Sequence, residues 1–295
     1  MTMSFVNLYK PPPPSRTLSP SYDAYLPPPF PLPSYDAYGP EPYDINVAFP
    51  IDFSALESPG VKLVPFIPRI HFPTYFAGIP DPNHFYRYYP FEKQHSSDLI
   101  EAVEFIDNFI RKDVNSIMFA IIDKATPDPE HDFGGSLAGT LALLDYSPSN
   151  LSVEFGMMCI LPAFQHTRVA IEANGILLRY CFQIPNASSP GLGLRRVQIL
   201  AHADNTPAIS LAKRIGFKEE GIMRWVRVLP KGKELVGMAP RENDLQKGYG
   251  RSTTVLSVTW QDWERGGKER VDKDMAKNTS SYVDEVTSSR NHSKL

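Results

Sequence analysis

Apolar residues along this chain fall into blocks whose spacing alternates between two and about three and a half, the periods that separate strands from amphipathic helices. Residues 60–67, GVKLVPFI, read as a first strand. Residues 72–91 carry aromatics and prolines with polar breaks such as DPNHF, which predicts short helices and loops wrapped on the core. In SSDLIEAVEFIDNFIRKD, Leu99, Val103, Ile106 and Ile110 recur at helical spacing behind a serine N-cap and early acids. SIMFAIID, SLAGTLALLDY and LSVEFGMMCIL are strand-like runs, the first two separated by the turn-forming KATPDPEHDFGG. A helix over 167–182 then puts Val169, Ala173, Ile176, Leu177 and Tyr180 on one face. RRVQILAHAD is a strand, TPAISLAKRIGF a helix ending at Gly216, and RWVRVLP with STTVLSVTW a closing antiparallel pair. This order predicts an α/β fold with a mixed, mostly antiparallel sheet flanked by helices. Only the strands on either side of the 167–182 helix need be parallel.

The two ends differ from this pattern. Fourteen of the 29 prolines lie in the first 60 residues, interleaved with aromatics and a twice-used SYDAY. Proline removes the ladder donor, so residues 1–43 are expected to form an extended, disordered arm, a solvated tail in preference to a ligand for a Pro-binding domain. Residues 44–265 form the expected domain. From 266 onward apolar content is too low to pack, which predicts a flexible tail.

Net charge of −3 and a pI near 6.2 give no basic surface for nucleic acid. Cys159 and Cys181 sit inside apolar runs and read as buried thiols, with no metal-ligand spacing. No stretch approaches the ~20 apolar residues of a spanning helix, and the N-terminus lacks a signal-peptide apolar core, so neither a membrane nor that secretion route is expected.

The polar hinge QHTR, Gln165 to Arg168, lies between a strand and a helix. A helix that starts off a sheet edge presents free backbone N–H groups and a positive dipole end, and these polar neighbours add donors, so the hinge suits a phosphate or pyrophosphate. An ordinary turn with Thr167 as N-cap is the alternative. VEFGMMCILPAFQHTRVAIEA, and NTPAISLAKRIGFKEEG about forty residues on, resemble the two signatures of the GNAT superfamily of N-acetyltransferases, closest to the ribosomal-protein-acetylating branch. The likeness extends more weakly over about 43–265.

The resemblance implies acetyl-CoA as co-substrate, no metal, and direct attack by an amine of a small molecule or polypeptide. It implies a pyrophosphate loop at Gln165, His166, Thr167, Arg168, Val169 and Ala170, with Arg168 where the family's first glycine stands. It implies a bulged strand whose amides at Met158, Cys159 and Ile160 serve the developing oxyanion, and Asn205 beside the pantetheine arm. Glu154 is the expected base. The family's tyrosine acid position is Ala212 and its serine position Ala208, which leaves Ser210 as the nearby hydroxyl. A catalytically silent GNAT module recruiting partners through the proline arm is the competing expectation. The terminal Ser293, Lys294 and Leu295 match the tripeptide read by the peroxisomal import receptor, so peroxisomal residence is expected over cytoplasmic.

Overall fold

The computed structural model describes residues 4–10, 39–91, 99–188, 190–245 and 247–276. Its strands are β1 (Phe5–Val6), β2 (Tyr43–Asp44), β3 (Val61–Pro65), β4 (Ile117–Asp123), β5 (Ser136–Ser147), β6 (Ser152–Ile160), β7 (Arg196–His202), β8 (Lys218–Val228) and β9 (Gly250–Thr259). The helices are α1 (Pro68–Ala77), α2 (Pro82–Phe85), α3 (Leu99–Ile106), α4 (Val169–Phe182), α5 (Thr206–Arg214), α6 (Trp260–Asp262) and α7 (Lys268–Ala276). Seven strands form one sheet in the order β3-β4-β5-β6-β7-β9-β8, in which only β6 and β7 pair parallel. The expected mixed, mostly antiparallel sheet is therefore present, and the parallel pair brackets α4.

Alternation along β4 shows how the sheet divides the core. Ile117, Phe119 and Ile121 join the cluster under α4 and α5, whereas Met118, Ala120 and Ile122 join the one under α1 and α3. All seven β4 residues are buried, as a central strand covered on both faces must be. On α3 and the wider turn that extends it, Val103, Ile106 and Ile110 are buried as the helical spacing predicted. The α5 helix ends in a Schellman motif. Phe217 N–H donates to Ala212 O at 2.9 Å and Gly216 N–H to Lys213 O at 3.2 Å, with Gly216 at φ 108°. Phe217 is thereby turned into the core, its ring 6.1 Å from that of Phe155 on β6.

Two stretches sit differently from the expected domain limits. Phe5–Val6 pairs with Tyr43–Asp44, and the Phe5 ring meets Phe53 at 4.8 Å. Asn7 clasps the same segment through Val47 O and N at 2.9 and 3.1 Å. At the other end α7 runs to Ala276 with one buried apolar residue, Val271, and an Arg179–Asp272 ion pair of 2.7 Å. Its sparse apolar content is why composition alone left it in the tail. The SYDAY repeat and the terminal tripeptide Ser293, Lys294 and Leu295 lie outside the described residues.

Gly139, at φ 156°, backs the bulged part of β6 so closely that a Cβ would stand 2.1 Å from the Cys159 carbonyl. Gly221 has a similar φ of 154° with nothing within 4 Å. Gly139→Ala should therefore cost clearly more than the ~1–2 kcal/mol of backbone strain expected for Gly221→Ala. Urea midpoints of the two variants check this; equal losses would contradict the close approach.

Candidate active site

The parallel β6/β7 ladder is short. It runs from Ser152 opposite Arg196 to Phe155 opposite Ile199 and then stops, while β6 continues to Ile160 and β7 to His202. The unpaired continuations open a wedge in the middle of the sheet. On its other edge β6 carries a bulge: Thr140 pairs with Cys159 and Ala142 with Gly156, so Met157 and Met158 together oppose Leu141. Met157 takes φ 49° to do so.

Three side chains hold the bulge. Thr140 Oγ1 donates to Met157 O at 2.8 Å, the Tyr89 hydroxyl donates to Met158 O at 2.9 Å, and the Cys159 thiol donates to Tyr89 Oη at 3.2 Å. Burial pushes both the Tyr89 phenol and the Cys159 thiol up, so both keep their protons.

Past Ile160 the chain makes a 3-10 turn, Pro162–Phe164, and reaches α4 through the hinge. Gln165 folds back, its Nε2 donating to Ile160 O at 3.0 Å. His166 is exposed at φ 62°. Thr167 Oγ1 donates to Phe164 O at 2.7 Å and accepts from Val169 N at 3.3 Å. Arg168 opens the helix without a side-chain cap. Its guanidinium turns along α4 to Glu172, 2.8 Å away, and Ser58 donates to the other carboxylate oxygen at 2.6 Å. Gly60 permits this, since a Cβ there would lie 1.9 Å from Arg168 Nη2. Val169 is buried and Ala170 half-buried. What this hinge offers a phosphate is thus backbone N–H groups and the dipole of a 14-residue helix, while the Arg168 charge is engaged with Glu172.

Glu154 stands on the opposite face, half-buried, in register with Gln198, whose Nε2 points to its Oε2 at 3.5 Å. Burial and the Asp145 charge push its carboxyl up to about 7, against the pull of Gln198, Arg227 and Arg251. Gln198 is oriented in turn by Arg196, which is fixed by two bonds to Glu220 of 2.6 and 2.7 Å. Farther along the same face lie His202, Thr253 and Arg251. Two segments meet over them: Lys233 Nζ donates to Tyr86 O at 2.6 Å, and the Tyr88 and His202 rings are 5.2 Å apart.

The remaining sequence candidates separate. Asn205 caps α5, its Oδ1 accepting from Ala208 N at 3.3 Å. Ser210 is exposed on α5, and Ala212 is buried, so neither places a hydroxyl in the wedge. Tyr89, Thr140, Gln198 and Arg251 were missed by sequence reasoning. Tyr89 lay in an aromatic-rich stretch without periodicity, while Arg251 heads an otherwise apolar and hydroxylic strand and could have been noticed as a charge at an inward position. Among the described residues no group of three or more His, Cys, Asp or Glu could hold a metal, and no helix is long and apolar enough to cross a membrane.

A bulged strand that parts from its parallel neighbour and runs into a helix N-terminus defines an acyltransferase-type cleft. Residues 61–218, more than half of the chain, match the acetyltransferase (GNAT) domain model, and the chain belongs to that family. Solved structures share the fold. A GCN5-related N-acetyltransferase from Brucella melitensis aligns at TM-score 0.58 and 24% identity, covering 78% of this chain and 93% of its own. A probable GNAT-family acetyltransferase from Chromobacterium violaceum ATCC 12472 gives 0.57 and 19%, over 86% and 100%. RimJ from Mycobacterium smegmatis, in complex with CoA-disulfide, gives 0.52 and 16%, over 72% and 88%. No curated protein matches the chain.

The Arg168–Glu172 geometry yields a test. Arg168→Gln leaves a carboxylate buried beside Ser58 and should lower stability by about 2 kcal/mol, less than a fully buried pair because Arg168 is partly exposed. Its affinity for acetyl-CoA, measured by calorimetry on the folded variant, should change less than about threefold. A large loss of affinity with stability intact would put the guanidinium on the pyrophosphate instead.

Proposed function

We propose that this chain is an acetyl-CoA-dependent N-acetyltransferase that acetylates an amine of a small molecule or polypeptide by direct attack in a ternary complex. The observation that carries this reading is β6: bulged, parted from β7, and leading into the N-terminus of α4, where the Arg168 side chain makes no cap. The wedge fits an extended, amide-bearing arm, and the α4 N-terminus fits the pyrophosphate beyond it. Bound acetyl-CoA supplies the activated acyl group and a thiolate leaving group.

The chain's own residues then divide the work. Residues 165–170 receive the pyrophosphate through backbone N–H groups. The Asn205 amide, whose Oδ1 caps α5, keeps its Nδ2 hydrogens for the arm between β6 and β7. Amides at 158–160 stabilise the developing oxyanion. Glu154 takes the ammonium proton, directly or through water, and a carboxyl titrating near 7 suits that task at neutral pH. As the N–C bond forms and the C–S bond breaks, the proton that the nitrogen sheds passes through water to the departing thiolate, while Tyr89 keeps its own proton on Met158 O and holds the bulge. Ser210 is given no role. Resemblance to the ribosomal-protein branch keeps polypeptide amines among the acceptors. A silent module that binds acetyl-CoA without turnover is the second reading, favoured by alanine at the family's acid position. Release of free coenzyme A across an amine library separates the two.

Ala170→Asp puts a carboxylate at the half-buried start of α4 and should weaken acetyl-CoA binding by more than about tenfold with little change in melting temperature. Unaltered affinity would move the pyrophosphate site elsewhere.

Glu154 makes two pH predictions. Activity should rise through pH about 7 as the base form appears, and Glu154→Gln should lose that limb and on the order of 10²-fold in kcat. The folded carboxyl also holds its proton more tightly than the usual 4.5, so its contribution to stability is lost as pH rises through that window. Glu154→Gln should therefore melt above wild type at pH 8 and lose this advantage near pH 4.5. A variant retaining the full pH profile would remove Glu154 from the mechanism.

A further inference from the structure

Arg251 is an anomaly on the face that carries Glu154. Its side chain lies on β9, 6% exposed, yet among the described residues it makes only one polar contact, Nη1 to Thr253 Oγ1 at 2.6 Å. Its Nε–H is buried without a partner. Neither Arg251 nor Arg227 has a carboxylate within ion-pair distance among the described residues. His202, opposite Thr253 in the β7/β9 register and 3% exposed, repeats the pattern. Its Nδ1 accepts from Asp204 N at 3.1 Å, which leaves the proton on Nε2, and that atom completes no hydrogen bond although the Val236 backbone approaches the ring. Among the described residues the Arg251 Nε–H is left without an acceptor and the His202 Nε2–H, beside the Val236 backbone, completes no hydrogen bond, and such groups are costly unless something supplies an acceptor.

Lys233 and Arg227 stand by the same face, and burial together with Arg227 pulls the Arg251 guanidinium down to about 10. Burial and Arg251 keep His202 neutral, a donor and not a second cation. The nearby carboxylates do not balance this: Glu154 titrates near 7 beside Asp145, and Asp204, 3.8 Å from His202, has its side chain 73% exposed. A buried guanidinium with unused donors and no carboxylate in ion-pair range among the described residues is a receptor for an oxyanion.

From this we infer that Arg251 and His202 form an acceptor subsite that binds a carboxylate or phosphate carried by the amine substrate, so the preferred acceptors are amines bearing a negative charge. The inference rests on the acetyltransferase reading. The subsite lies on the Glu154 face, flanked by the Tyr86–Tyr89 segment and the Lys233–Val236 stretch, whereas the pyrophosphate hinge lies at the end of β6. The four residue steps from Gln198 to His202 span roughly 13 Å, so amine and oxyanion are separated by several bonds, farther than in an α-amino acid.

The test uses the full chain with saturating acetyl-CoA and matched amines: aminovalerate against its amide, phosphoethanolamine against ethanolamine, and spermidine as a cation. The anionic member of one or both pairs should exceed its neutral partner in kcat/KM by at least about tenfold. Arg251→Gln should abolish that ratio through acceptor KM while leaving the KM for acetyl-CoA within about twofold, with Arg251→Lys intermediate. The two pairs distinguish carboxylate from phosphate. Preference for spermidine or the neutral amines, or an unchanged ratio in Arg251→Gln, overturns the proposal. Calorimetry of CoA-loaded protein with glutarate and with inorganic phosphate gives a readout independent of turnover. Binding lost in Arg251→Gln supports the subsite even if no amine is acetylated, which would sink the transferase reading alone. Absence of binding by either anion to wild type, or equal binding to the variant, sinks the subsite.

Discussion

In an unbroken strand Val153, Phe155, Met157 and Cys159 would all point to one face, because side chains alternate with a period of two. In β6 they do not. Val153 and Phe155 join the core under α4, while Met157 and Cys159 join the core under α1 and α3. The extra residue at the bulge exchanges the faces, and the exchange lets one strand serve two cores without exposing an apolar residue to either wrong side. It also turns two carbonyls, those of Met157 and Met158, to the side chains of Thr140 and Tyr89. Gly139 on the neighbouring strand is the counterpart of this geometry, since no side chain fits behind the Cys159 carbonyl.

The wedge beside β6 depends on the same feature. Parallel pairing with β7 ends at Phe155, before the bulge begins, and Phe217, delivered by the Schellman turn after α5, packs near Phe155 under the strand. The α4 helix then starts where β6 ends, anchored by the Arg168–Glu172–Ser58 chain to the loop before β3. Chemistry divides across the sheet: dipole and backbone donors at the hinge, and titratable side chains on the Glu154 face.

Much of the fold was legible because its elements carry clear periods. The helical face of Val103, Ile106 and Ile110, the alternation in β6 and the closing pair of β8 with β9 are all local signals. The Gly216-Phe217 ending was readable because only a few residues tolerate the required φ. The hinge was legible as a place and less so as a contact list: Gln165 serves Ile160 and Arg168 serves Glu172, partners determined by side-chain direction in three dimensions. Tyr89 meets Met158 across 69 positions of chain and Arg251 lies still farther from β6, and no local pattern reports such distant approach. The docking of Phe5 beside Tyr43 escaped composition for the same reason.

The central claim is that the parted end of β6, the hinge and the α4 start together hold acetyl-CoA. Amide hydrogen exchange of the full chain, with and without saturating acetyl-CoA, tests it most directly. The account predicts slowed exchange in peptides covering residues 156–172 and 202–209, with β3 and β4 unchanged. Saturated binding that leaves both segments unprotected, or protects β8 alone, would contradict it.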